Sequence, residues 1–221
     1  MFVGHYAAAV AAKAADPRAP LWTYVAGAQL LDIAWGIMVV TGVEKVRFDA
    51  TLPGSQLDLI SMPWSHSLPA ALLWAALALA ACRYLVRLPW GASAMVGAVV
   101  LSHWFLDLLV HRPDLPLWPD GPEVGLKLWN LPLTEIALEM GLLALAAVAW
   151  TACLKSAGSR AVTAFAFTGM LALLQMLAGL PIKSDPGPLA IGVTAVVLYL
   201  AVTGVSLFFD RPRLRSSPFR R

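Results

Sequence analysis

Long apolar segments alternate with short polar or proline-rich stretches along most of the chain. A transmembrane helix needs about 20 consecutive, mostly apolar residues, and six segments reach that length. They are 20–42, 66–87, 91–111, 131–154, 160–181 and 187–209. The pattern therefore predicts an all-α fold, a polytopic membrane helix bundle of about six transmembrane helices.

The first residues follow a different pattern. Residues 2–15 are alanine-rich and favour a helix, but this segment is too short to span a membrane. If this half-helix rises from the inner surface near Lys13, it places His5 roughly 12 Å higher at 1.5 Å per residue. Asp32 lies roughly 20 Å above Arg18 by the same measure. We therefore expect His5 and Asp32 to meet near the middle of the membrane.

The whole chain is predicted to form one membrane domain. The half-helix is followed by a four-helix part that carries the polar intramembrane residues. Two helices with little strong polarity beyond Gln175 are predicted to act as scaffold, and a basic tail ends the chain. These four parts are 1–19, 20–154, 155–209 and 210–221.

Composition excludes several classes of protein. Hydrophobic residues make up 59% of the 221 residues and charged residues 13%, against about 45–50% and 25% in an ordinary soluble domain. These values exclude a disordered chain, a coiled coil and a nucleic-acid partner, since binding nucleic acid needs a strongly basic surface. Cys82 and Cys153 lie in apolar segments, which indicates buried thiols and excludes a disulfide scaffold.

The basic residues predict the orientation of the bundle. With the C-terminus inside, eleven of the sixteen Lys and Arg residues lie on the inner side, in agreement with the positive-inside rule. The two long polar loops, 43–65 and 112–130, then face the outside, and the C-terminus is cytoplasmic.

Ionisable side chains within the predicted spans are the main functional signal. Such groups cost several kcal/mol at membrane depth unless they are paired, hydrated or bound to metal. Four carboxylates belong to the spans: Asp32, Asp107, Glu135 and Glu139. All four histidines lie in or beside the same segments: His5, His66, His103 and His111.

The spacing of these groups predicts one polar layer in the outer half of the bundle. His103, Asp107 and His111 are four residues apart, so a helix places them on one face. Glu135 and Glu139 form a second such pair, in which Glu139 lies at a similar depth and Glu135 lies close to the outer interface. Mixed imidazole and carboxylate ligands suit Zn, Mn or Fe(II). The alternative for each residue is a hydrogen bond between helices or, for His111, a contact with lipid headgroups.

Four stretches, in order, resemble a bacterial family described as membrane-bound metal-dependent hydrolases. They are 4–7 (GHYA), 28–32 (AQLLD), 64–67 (WSHS) and 101–107 (LSHWFLD). The family shows an N-terminal His, a stretch ending in Pro-Asp-x-Asp, a His-Arg-x-x-Thr-His-Ser stretch and a His-x-x-x-Asp helix. The resemblance covers roughly the first 140 residues and implies a multi-pass protein of the bacterial inner membrane.

This chain departs from the family pattern at two places. Where the family has Pro-Asp-x-Asp, residues 30–34 read LLDIA, so one carboxylate is missing. The first His of the His-Arg stretch is also absent, and residues 62–64 read MPW. A site with fewer ligands, a site completed by Glu135 or Glu139, and a branch without the hydrolase chemistry all remain open.

The leading hypothesis is metal-dependent hydrolysis of a lipid or lipid-linked ester or phosphoester near the outer leaflet. The predicted ligands of a divalent metal, zinc before manganese or iron, are His5, Asp32, His66, His103 and Asp107. The predicted catalytic groups are Glu135, Glu139 and His111. Arg112 and Lys127 are predicted to bind an anionic group of a small amphiphilic substrate. The rivals are a transporter for a metal ion, proton or small solute and a structural membrane protein.

Overall fold

The computed structural model describes residues 1–154 and 159–209. Within them the chain forms eight α-helices: α1 (Val3–Ala15), α2 (Leu21–Ala28), α3 (Leu30–Val40), α4 (Leu68–Tyr84), α5 (Trp90–Val110), α6 (Pro132–Cys153), α7 (Ser159–Ala178) and α8 (Gly187–Phe209). The predicted all-α bundle is confirmed. The basic tail 210–221 and residues 155–158 of the loop before α7 lie outside the described residues.

The number of spans is smaller than the six predicted. Four described helices, α5 to α8, are long and apolar enough to cross a membrane, and the bent pair α2–α3 gives a fifth span if it is counted as one. The second predicted span, 66–87, folds as α4 with only 17 residues. It is shorter than predicted because Ser67 caps its N-terminus and Leu88 and Pro89 follow its end.

A bend of 50° between α2 and α3 divides the first predicted span. Gln29 interrupts the helix with φ −112° and ψ 11°. In a continuous helix, the Ala28 carbonyl would accept a hydrogen bond from the Asp32 amide. Here it accepts a hydrogen bond from the His103 imidazole instead. Asp32 lies in the first turn of α3, where the helix dipole stabilises a carboxylate.

α1 lies in the interior of the bundle, close to α6. Val3, Tyr6 and Val10 belong to the same apolar core as Leu143 and Trp150 of α6. The prediction of a short N-terminal helix within the bundle agrees with this placement. Its N-terminal end, which carries His5, is directed toward α5 and α6.

The turn between α1 and α2 is held by polar contacts. The Arg18 guanidinium donates two hydrogen bonds to Asp16, 2.8 and 2.6 Å long, and thereby lowers the pKa of the Asp16 carboxyl. The Tyr24 hydroxyl donates to the Asp16 carbonyl, and Lys13 Nζ donates to the Ala19 carbonyl. These bonds fix where α2 begins relative to α1.

The two loops that we predicted to face outside contain short strands. β1 (Lys45–Phe48) pairs antiparallel with β2 (Leu57–Ser61), and β3 (Leu115–Pro116) pairs with β4 (Glu123–Val124). Arg112 joins the two loops, because its guanidinium donates to the carbonyls of Pro53 and Ser55 and to Asn130 Oδ1.

The two cysteines have different surroundings. Cys82 is buried, as predicted, but Cys153 is exposed, so the prediction of a buried thiol is wrong there. Cys153 is the last residue of α6.

α3 and α8 cross at two glycines. A Cβ atom on Gly192 would lie 2.7 Å from the Gly36 carbonyl oxygen, and one on Gly36 would lie 2.8 Å from Val196 Cγ2. Small residues permit such a close approach of two helices in a membrane. This crossing matters for the site because α3 carries Asp32.

We expect Gly192→Ala to destabilise the protein by about 1–3 kcal/mol, because the new methyl group meets backbone that cannot give way. Gly204→Ala on the same helix is the matched control, since a Cβ there meets no described atom within 4 Å. The control should be neutral or gain up to about 1 kcal/mol from helix propensity. Thermal unfolding in detergent measures both, and equal melting temperatures for the two variants would contradict the close crossing.

Candidate metal centre

Six of the predicted site residues converge on one buried cluster, which we call the His/Asp cluster. Its members are His5, Asp32, His66, His103, Asp107 and His111. Five of them are at most 3% exposed, and Asp32 is partly buried. The cluster gathers side chains from α1, α3, α5, the C-cap residue that follows α5 and the turn before α4.

Asp107 lies at the centre of the His/Asp cluster. Its Oδ1 is 3.1 Å from His5 Nε2 and 3.5 Å from His111 Nε2. Its Oδ2 is 3.1 Å from His103 Nε2 and 3.6 Å from His66 Nε2. The predicted spacing on α5 accounts for half of this arrangement, because four-residue steps bring His103 and His111 to either side of Asp107.

Asp32 provides the second carboxylate. Its Oδ1 lies 3.4 Å from His66 Nε2 and 3.6 Å from His103 Nε2. The bend at Gln29 starts α3 beside α5, which brings this carboxylate close to the two imidazoles. The expected meeting of α1 and α3 therefore takes place around the histidines of α5 and of the turn before α4.

The other ring nitrogen of three histidines is held by an acceptor. His103 Nδ1 lies 2.7 Å from the Ala28 carbonyl oxygen, and His111 Nδ1 lies 2.8 Å from Asp114 Oδ1. His66 Nδ1 lies 2.7 Å from Ser65 Oγ. Because carbonyl and carboxylate oxygens only accept, Nδ1 carries the proton in His103 and His111.

Glu44 fixes the same tautomer in His66. Ser65 Oγ donates its proton to Glu44 Oε2 over 2.6 Å, so this hydroxyl is left to accept from His66 Nδ1. Glu44 Oε1 also accepts the backbone amides of Trp64 and Ser65. In its neutral form, each of these three imidazoles directs an Nε2 lone pair toward the carboxylates. Histidines that bind metal are oriented by outer partners in the same way.

The imidazole and carboxylate groups need a positive charge between them, either a proton on an imidazole or a metal ion. His5 Nε2 and His103 Nε2 are buried and have no hydrogen-bond partner among the described residues, although each lies 3.1 Å from an Asp107 oxygen. Lone pairs of imidazole and carboxylate repel each other unless a positive charge lies between them. The donor atoms form two triads, His5–His103–Asp107 and Asp32–His66–His103, each with its atoms within 4.8 Å of one another. The His/Asp cluster is therefore compatible with metal binding.

One positive charge already borders the cluster. The α-ammonium group of Met1 is buried and lies 2.8 Å from Asp107 Oδ1. It is a possible competitor for a metal ion on that side of the carboxylate.

Glu139 and Glu135 occupy different positions relative to the cluster. Glu139 is fully buried and accepts the backbone amides of Phe2 and Gly4 at 2.8–3.0 Å. It therefore binds the N-terminal end of α1. Glu135, one turn earlier on α6, lines the cavity beside the cluster.

The cavity has a volume of about 660 Å³, within the range of about 300–1,000 Å³ for ligand pockets. It reaches Asp32, His66, Asp107 and His111. Most of its other lining is apolar, with Trp35, Ile136 and Leu198 among the side chains. A pocket of this kind suits a largely apolar ligand that carries one polar group, because the His/Asp cluster forms a polar part of an otherwise mostly apolar lining.

α7 and α8, predicted as scaffold, form part of this cavity. Gln175 of α7 and Thr194 and Tyr199 of α8 line it, and the Tyr199 hydroxyl lies near the Asp32 carboxylate. Sequence reasoning missed Tyr199 because a single tyrosine in an apolar helix carries no distinctive signal. It also missed Glu44, Ser65 and Asp114, although the last two lie within three residues of the histidines they orient.

Arg112 and Lys127 lie away from the cavity lining. Arg112 is engaged by loop carbonyls and stacks over the Trp129 ring, with 5.5 Å between its Cζ and the ring centroid. Lys127 has an exposed side chain and a left-handed backbone with φ 65°, and its amide donates to the His111 carbonyl. Their predicted role in binding substrate stays a prediction.

Comparisons with known proteins give this chain no relative. No protein-family model, no curated protein and no solved structure matches it.

Proposed function

We propose that this protein is a membrane-embedded, metal-dependent hydrolase that acts on a lipid or lipid-linked ester or phosphoester near the outer leaflet. The observation that carries the proposal is the junction of the His/Asp cluster with a largely apolar cavity. Metal ligands alone suit many functions. Ligands that open into an apolar pocket between membrane helices favour chemistry on an amphiphile.

His5, Asp32, His66, His103 and Asp107 are the residues proposed to hold the metal. When bound, a divalent ion supplies a water acidified toward neutral pKa and polarises a carbonyl or phosphoryl oxygen. Zinc is the first candidate because imidazole nitrogens and carboxylate oxygens are among its usual ligands. Manganese and iron(II) also bind to mixed imidazole and carboxylate ligands.

Glu135 is the proposed proton acceptor. It lines the cavity that also reaches the cluster, so it can take a proton from a water held between the cluster and a bound substrate. Asp32 and Asp107 are less suited to this task because both carboxylates are surrounded by imidazoles. Glu139 is less suited because both of its oxygens accept backbone amides.

The cavity lining supports an amphiphilic substrate. Apolar side chains hold an acyl or polyprenyl chain, while the cluster faces the ester or phosphoester group. With the orientation predicted from the basic residues, the 43–65 and 112–130 loops face outside. We propose that the pocket lies in the outer half of a bacterial inner membrane.

The test uses the full chain with a C-terminal affinity tag, so that the Met1 amine stays unmodified. The protein is placed in vesicles of phosphatidylethanolamine and phosphatidylglycerol, with the zinc, manganese and iron content measured and lipid products followed by mass spectrometry. We expect bound metal and hydrolysis that stops on chelation and returns with added metal. Glu135→Gln should lower kcat by about 10²–10⁴-fold with unchanged metal content, whereas Glu123→Gln in the outer loop should change neither.

A different result would support the transport hypothesis or exclude metal chemistry. Metal-driven or proton-driven flux into the vesicles, abolished in His103→Ala and without lipid turnover, would replace hydrolysis by transport. A chain without stoichiometric metal that keeps its fold after chelation would overturn the proposal.

A further inference from the structure

The His/Asp cluster contains more donors than one zinc ion uses. Catalytic zinc takes three protein ligands and keeps a position for water, whereas six side chains converge here. Four of them are imidazoles with one nitrogen each directed at the two carboxylates. The surplus of ligands raises the question of a second ion.

The two oxygens of Asp107 face different histidines. Oδ1 is the oxygen nearest to His5 and His111, at 3.1 and 3.5 Å. Oδ2 is the oxygen nearest to His103 and His66, at 3.1 and 3.6 Å. A carboxylate that presents each oxygen to its own pair of imidazoles has the arrangement of a bridging ligand.

Asp32 belongs to only one of these two sides. Its Oδ1 approaches His66 and His103, the same histidines that face Asp107 Oδ2. The two triads of donor atoms share His103 alone, and His103 has a single free nitrogen because Nδ1 is bound to the Ala28 carbonyl. One imidazole nitrogen binds one ion. We assign His103 to the side of Asp32 and His66 because its Nε2 lies 3.1 Å from Asp107 Oδ2, the oxygen that also faces His66.

We propose that the cluster is a dinuclear metal centre bridged by Asp107, an inference that rests on the proposed function. One ion is held by Asp32, His66, His103 and Asp107 Oδ2. The other is held by His5, His111 and Asp107 Oδ1. His111, predicted from sequence as a catalytic group, becomes a ligand of the second ion.

The two sides differ in their surroundings. The side with Asp32 has two carboxylate oxygens and oriented imidazoles, so we expect it to bind its ion more tightly. On the other side, the Met1 ammonium lies 2.8 Å from Oδ1 and must move or lose its proton when an ion binds. Paired ions about 3.5–4 Å apart serve hydrolytic enzymes by stabilising both the attacking and the leaving oxygen.

The test counts ions and measures their coupling in the full chain with a free Met1 amine. The purified protein is loaded with Mn²⁺, its manganese is determined by mass spectrometry, and its electron paramagnetic resonance spectrum is recorded. We expect two ions per chain and the spectrum of a spin-coupled pair. His5→Ala and His111→Ala should each leave one ion with an uncoupled spectrum, and Asp120→Asn, an exposed carboxylate on the outer loop, should keep both.

The outcomes separate this inference from the proposed function. One ion per chain in the unmodified protein, with unchanged content in His111→Ala, would overturn the dinuclear centre and leave a mononuclear hydrolase. In that case the Met1 ammonium alone occupies the Oδ1 side. No bound ion would overturn both proposals.

Discussion

Asp107→Asn is expected to abolish the proposed metal binding and to reduce the proposed lipid hydrolysis to the level of the metal-free protein. All four histidines direct an Nε2 atom at this carboxylate within 3.6 Å. The amide has nearly the same shape but no charge, and its NH₂ group cannot bind metal. Loss of an outer partner of a metal ligand already costs about 10–100-fold in affinity, so we expect a loss greater than about 100-fold here.

Isothermal titration calorimetry, in which metal is added to the metal-free protein, measures this loss of affinity. Asp120→Asn makes the same chemical change at an exposed position of the 112–130 loop and should leave affinity and turnover unchanged. The far-ultraviolet circular dichroism of both variants should show the helical content of the unmodified protein. Metal binding of normal affinity in Asp107→Asn would show that this carboxylate is not a ligand.

The sequence predicted the ligands on α5 because one helix fixes their relation. His103, Asp107 and His111 follow each other at steps of four, and a continuous helix turns that spacing into one face. The structure retains this face along α5, with Asp107 in contact range of both histidines. Within a regular element, spacing alone suffices to predict proximity.

Convergence between elements was predictable only in part. The 1.5 Å rise per residue predicted that His5 and Asp32 reach a common depth, but not the bend that sets α3 at 50° to α2. Gln29 carries no proline or glycine signal, and the bend is stabilised by a contact from outside the span, the hydrogen bond from His103 to Ala28. A break that depends on such a contact leaves little trace in the local pattern of hydrophobic residues.

The outer partners of the histidines show a second limit. Glu44 lies in a loop more than twenty residues before His66 and reaches it through Ser65. The β1–β2 hairpin lies between Glu44 and Ser65 and brings these two residues together. The sequence predicted only a polar loop there and not the pairing of two strands. The hydrogen bonds by which Arg112 links the two loops have the same origin.

Glu139→Ala is expected to have the largest effect on stability. The carboxylate is fully buried and accepts the amides of Phe2 and Gly4, the N-terminal donors of α1. Removing it leaves a buried N–H group of Gly4 and a partly buried one of Phe2 without an acceptor, at about 1–3 kcal/mol each. We therefore expect a loss of about 2–6 kcal/mol in the free energy of unfolding, together with weaker metal binding, because α1 also carries His5.

Thermal unfolding of the metal-free and metal-loaded protein measures both effects of Glu139→Ala. Glu123→Ala removes an exposed carboxylate from β4 and should leave melting temperature and metal content unchanged. Glu139→Gln keeps one acceptor oxygen, so its melting temperature should lie between those of Glu139→Ala and the unmodified protein. If Glu139→Ala instead melts normally and keeps its metal but loses turnover, Glu139 is the general base that the sequence allowed, and the anchoring of α1 depends on other contacts.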